Sequence, residues 1–64
     1  MYVIQTRGKK SPWVTIGSHR SKDMAVAQAF HLADELEREL RVVQFASGMA
    51  FKVVYPNIEP RKES

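Results

Sequence analysis

The chain opens with Tyr2-Val3-Ile4-Gln5-Thr6, a run rich in β-branched and aromatic residues with one polar position inside it. That pattern predicts a first strand. Pro12 has no N–H to give a ladder, so a second strand is predicted from Trp13 to Ile16. The stretch RGKKSP forms the hairpin loop between the two strands, and Gly17-Ser18 breaks the second one.

A helix follows. Ser21 is suited to the N-cap, and Asp23 in the first turn complements the positive end of the helix dipole. From Ser21 to Leu40 there is neither Gly nor Pro. Val26, Phe30, Ala33, Leu36 and Leu40 recur at helical spacing, with Ala29 and Leu32 widening the stripe. The reading is an amphipathic helix of about five turns. Its outward side carries Asp34, Glu35, Glu37 and Glu39. Acids near a helix C-terminus are mildly unfavourable, and pairs such as Asp34–Arg38 and Glu37–Arg41 would offset that cost. His31 can face Glu35 one turn on.

RVVQFASGMAFKVVY then reads as a second hairpin. A loop of Ala46-Ser47-Gly48 pairs Phe45 with Met49 and Val43 with Phe51. One face then collects Val43, Phe45, Met49, Phe51, Val53 and Tyr55, and the other Val42, Gln44, Ala50, Lys52 and Val54. A one-residue slip would exchange the faces, so this clean segregation favours that register. Gly48 then takes the left-handed position of the turn. Pro56 ends the strand, and residues 57–64 read as a polar, disordered tail outside a single domain of residues 1–56.

Strand, strand, helix, strand, strand implies an α+β fold: a four-stranded antiparallel sheet in order 2-1-3-4 with one helix packed on one face. Tyr2, Ile4, Val14 and Ile16 are expected to join the Val43–Phe51 face under the helix. The uncovered face is then expected to hold Val3, Gln5, Arg7, Trp13, Thr15, Val42, Gln44, Lys52 and Val54. Cations, amides and the single tryptophan interleaved with valines make it the most informative surface of the chain.

Composition narrows the readings. A chain of 64 residues is one domain at most. A domain of this size buries only about 60% of its unfolded surface, so self-association would supply burial that it lacks. With no cysteine, neither disulfides nor thiolate ligation contribute. No apolar run approaches the roughly 18 residues of a membrane span, and the expectation is a cytoplasmic protein. Net charge is only +3, but it is unevenly spread. Residues 1–22 hold Arg7, Lys9, Lys10, Arg20 and Lys22 with no acid, whereas residues 23–40 hold five acids and only Arg38. An acidic helix repels phosphate and anionic lipid, so neither a groove-reading helix nor a membrane-lying one is expected.

Catalytic chemistry has little to stand on. The two histidines form no ligand spacing with each other or with carboxylates, no nucleophile comes with a base, and the glycines match no phosphate-loop pattern. No enzyme activity, cofactor, metal or small-molecule substrate is expected. The stretch Trp13-Val-Thr-Ile-Gly-Ser, the alanine-rich helix and Val42-Val43 together resemble the first half of peptidoglycan-binding SPOR-type domains. The resemblance ends before the second helix of that family, and no function is carried over from it.

The expectation is therefore a small non-enzymatic interaction protein that works through its open sheet face and its separated charged surfaces, self-associating as a homodimer. The alternative is single-stranded or backbone-directed nucleic-acid binding at the basic hairpin tip and sheet face. The candidate partner-binding residues are Arg7, Lys9, Lys10, Trp13, Thr15, Gln44 and Lys52, with Asp34, Glu35 and Glu37 as an acidic helix face. In this register Trp13 is the only aromatic ring on the uncovered face, which counts against base stacking.

Overall fold

The computed structural model describes residues 1–8, 10–45 and 51–60. In chain order the elements are β1 (Tyr2–Arg7), β2 (Val14–His19), α1 (Lys22–Leu36), β3 (Glu39–Phe45) and β4 (Phe51–Ile58). The strands form one antiparallel sheet in order β2-β1-β3-β4, open at both edges, with α1 on one face. This is the expected ββαββ architecture and the expected strand order. Both β2 and β3 run antiparallel to β1, so they are parallel to each other. Such strands need a long crossover, which α1 provides.

Ser21 caps the helix as its residue type suggests. Its backbone is extended (φ −101, ψ 133), and its Oγ accepts from the Met24 N–H at 3.4 Å. The far end differs from expectation. The helix stops at Leu36, and Glu37 adopts a left-handed conformation (φ 55, ψ 45) while donating its N–H to Ala33 O at 2.8 Å. Leu40 belongs to β3 and is fully buried there, opposite Thr6. Continuing the helix would remove Glu39, Leu40 and Arg41 from the central β1–β3 ladder, where each has a partner. Ladder hydrogen bonds and Leu40 burial together outweigh one further turn of helix.

The buried stripe of α1 is also narrower than predicted. Ala25, Ala29 and Ala33 face the sheet with no exposure, whereas Phe30 and Leu36 are exposed. Small side chains let the helix backbone approach the sheet closely, which pushes larger residues to the flanks. Phe30 rests edge-on against Tyr55 there, with ring centroids 5.4 Å apart and planes at 82°.

Gly17 and Ser18 do not end β2, which continues to His19. The ladder steps from Gln5↔Thr15 to Ile4↔Gly17, so Ile16 is an extra residue absorbed as a bulge. Nor does Pro56 end β4, which runs on to Ile58. An edge strand tolerates a residue without an N–H, and two register shifts against β3 accommodate it. Ile58, expected in a polar tail, is 1% exposed and part of the core. The tail residues 61–64 and the predicted turn at 46–50 lie outside the described residues. The flanking register is Phe45↔Phe51 and Val43↔Val53, in place of Phe45 with Met49 and Val43 with Phe51.

The largest correction concerns which face the helix covers. Ile4 pairs with Val42 and Val3 with Val43, so Val42 shares the face of Ile4. Ile4, Leu40, Val42 and Ile58 pack with the alanine stripe, and Tyr2, Val26, Leu32, Val54 and Tyr55 surround them. Val42 and Val54 therefore leave the expected open face, while Val43, Phe45, Phe51 and Val53 join it. The grouping of Val43, Phe45, Phe51 and Val53 was sound, but it belongs to the other side of the sheet. Tyr55 leaves that group because the shift beside Val54 sets it opposite Val42. Val14 and Ile16, expected under the helix, are both exposed on the edge strand. Among the described residues, no helix is long and apolar enough to cross a membrane.

Candidate interface on the open sheet face

Antiparallel partners share a face, so the registers define what the uncovered side presents. Across its middle runs the row Val3, Val43, Val53; beside it runs Thr15, Gln5, Arg41. Arg7 and Glu39 form the next row, and Phe45 and Phe51 lie at the opposite end. Val3 and Val43 are buried in the centre of this face (7% and 0% exposed), although no helix covers them. Around them Phe45, Phe51 and Val53 stay open, at 43%, 52% and 37% exposed. The rings of Phe45 and Phe51 form a tilted pair with centroids 5.8 Å apart.

Trp13 brings the two arginines together. The guanidinium carbon of Arg7 lies 4.6 Å from the indole centroid and that of Arg41 4.4 Å from it. Arg41 also lies 6.0 Å from the Phe51 ring. Each such contact contributes about 0.5–1 kcal/mol at an exposed site. Their larger effect is geometric, since the indole holds both cations over the sheet. Arg7 Nε also meets Glu39 Oε1 at 3.3 Å, with the Arg7 side chain exposed and that of Glu39 half-buried. A pair of this kind orients the arginine more than it stabilises the fold.

Arg41 is held more firmly. Its Nε donates to Gln5 Oε1 at 2.8 Å, and Gln5 Nε2 donates to Thr15 Oγ1 at 3.3 Å. The relay crosses β2, β1 and β3 and fixes the amide of Gln5 with its oxygen toward the cation. Arg41 was expected to pair with Glu37 on a longer helix. The left-handed turn at Glu37 places it in a strand instead.

Of the predicted partner-binding residues, Arg7, Trp13 and Thr15 come together on this face. Gln44 and Lys52 pair with each other on the helix side, opposite Tyr2, and not on the open face where they were expected. Lys10 is exposed in the loop beyond Arg7, and Lys9 lies outside the described residues. Arg41, Phe45 and Phe51 were not expected on this face. The period-two pattern of Arg41, Val43 and Phe45 already placed them on one face; what was missing was which face the helix takes.

The acidic residues occupy the other layer. Asp34, Glu35 and Glu37 are exposed on the helix side, with His31 Nε2 3.6 Å from Glu35 Oε2. A recess of about 360 Å³ lies at the seam between the layers, lined by Arg7, Gly8, Glu37, Arg38 and Glu39. Its mixed charge favours neither an anion nor a cation. Among the described residues, no group of three or more His, Asp or Glu side chains could hold a metal ion.

The open face thus presents hydrogen-bond donors, two arginines and exposed aromatic rings side by side. Compared with known proteins, the chain matches no family model, no curated protein and no solved structure.

Proposed function

We propose that this protein is a non-enzymatic binder of single-stranded nucleic acid and that the open face of its sheet is the platform. The observation that carries this reading is the placement of Phe45 and Phe51 on the same face as the Trp13–Arg7–Arg41 cluster. Unpaired bases stack on aromatic rings and on guanidinium planes, and their phosphates attract cations. Trp13 serves mainly as the anchor for the two arginines, and the exposed Phe45 and Phe51 rings receive bases. The local charge supports the orientation. Arg7 and Arg41 lie on the open face among exposed rings, whereas Asp34, Glu35 and Glu37 lie on the helix side, so phosphates are drawn to the arginines rather than to the acids.

The same rings and arginines would also suit a protein partner, the homodimer above all. One experiment separates the occupants. Labelled single-stranded and duplex oligonucleotides of about 12 nucleotides, within the span of a single-strand platform, are titrated at two salt concentrations. Solution mass is measured in parallel. The expected result is tighter binding of the single strand than of the duplex, with a monomeric mass of 7.3 kDa for the free protein. Arg7→Ala with Arg41→Ala should flatten the salt dependence by roughly 0.7 per lost phosphate contact. No binding at low salt ends the proposal. A free protein of twice the monomer mass, dissociated by Phe51→Ala, assigns the face to a second copy.

A further inference from the structure

The geometry points to guanine as the base that Arg41 reads, through the acceptors O6 and N7 on its Hoogsteen edge; this inference rests on the single-strand reading above. Arg41 is the most constrained cation of the described residues. Its Nε is committed to Gln5 Oε1 at 2.8 Å, and Gln5 is held in turn by Thr15 Oγ1 at 3.3 Å. The guanidinium packs against Trp13 at 4.4 Å and approaches Phe51 at 6.0 Å. With Nε occupied, the two terminal nitrogens remain as a planar fork of donors, and among the described residues no hydrogen bond or ion pair engages them. Arg7, by contrast, is shared with a carboxylate, Glu39 Oε1 at 3.3 Å, which competes with any ligand for it.

A fork of donors in a fixed plane selects a base with two adjacent acceptors. Guanine offers O6 and N7, whereas adenine sets a donor beside its N7 and would clash with one arm. Thymine offers isolated carbonyls. Cytosine has neighbouring acceptors too, but its single ring gives less area to stack on Phe51, and guanine's fused rings fit both requirements. In a duplex guanine's O6 and N7 lie inside the major groove, which Arg41 would have to enter. In a single strand the base edge is free. Gln5 acts here as a positioning residue, since it sets the plane of the fork without touching the base.

The test compares thymidine oligonucleotides that carry isolated guanine, adenine or cytosine, and a fourth that carries 7-deazaguanine, which lacks the N7 acceptor. Guanine is expected to bind about tenfold or more tighter than adenine, the discrimination of a good bidentate pair. Replacing it with 7-deazaguanine should remove most of that advantage. Arg41→Lys keeps the charge and loses the fork, so it should abolish the guanine preference by weakening guanine binding more than binding of the plain thymidine oligonucleotide. Gln5→Ala should weaken the preference in the same direction. Circular dichroism of both variants checks that the fold is kept.

Equal affinity for all four oligonucleotides, a preference for cytosine, or a guanine preference that survives Arg41→Lys or 7-deazaguanine overturns the inference and leaves the single-strand reading standing. Binding of none of them overturns that reading as well.

Discussion

Glu37 holds a left-handed backbone (φ 55) without being glycine. A side chain in that region is strained by about 1 kcal/mol or more, and the position just past a helix is where glycine usually relieves it. Glu37→Gly should therefore raise stability by about 1 kcal/mol, less the extra freedom that glycine has in the unfolded chain. Chemical denaturation monitored by the far-UV signal would check this, and a loss of stability would mean that the glutamate side chain contributes more than its backbone costs. No sequence signal marked the turn, because a run free of Gly and Pro gives no reason to stop at that residue. The N-cap at Ser21 was legible for the opposite reason: it depends on one local hydrogen bond, which the residue type alone suggests.

Elements follow the same division between local and distant causes. Both antiparallel strand pairs, the helix and their order could be read from the period of apolar positions, which acts within a few residues. The face under the helix could not. It depends on the pairing of β1 with β3, strands far apart in sequence, and aromatic content was a poor guide to it. Phe45 and Phe51 are the bulkier apolar set, but the alanine stripe of α1 leaves only a shallow gap, and compact aliphatics such as Ile4, Leu40, Val42 and Ile58 fit it. Arg41 and the Phe pair were thereby hidden as residues of the open face, while Gln44 and Lys52 were expected on it and lie on the helix side.

Ile58 makes the point testable. If β4 continues past Pro56 and closes the core, Ile58→Ala should cost about 2–5 kcal/mol, as for any fully buried aliphatic residue. Phe51→Ala removes a larger side chain from an exposed position and should cost far less. A denaturation series in which Phe51→Ala proved the more damaging would contradict the assigned faces.

At the scale of the whole molecule, the order β2-β1-β3-β4 places the first and third strands at the centre. Each hairpin brings only its own two strands together, and neither can bury the helix alone. The step that unites them is the pairing of Ile4 with Val42, which must close the whole intervening chain, helix included, before it gains any contact. Loop closure of this length sets the folding rate in small mixed domains. The rate-limiting barrier should then be the docking of one preformed hairpin on the other, with β1 and β3 already in register at the transition state and the far end of β4 still loose. Stopped-flow refolding followed by Trp13 fluorescence would show it. Ile4→Val should slow folding, whereas Ile58→Val should mainly hasten unfolding. The reverse assignment would mean that β4 docks first. The central β1–β3 seam that shapes the open face is thus also the clock of the fold.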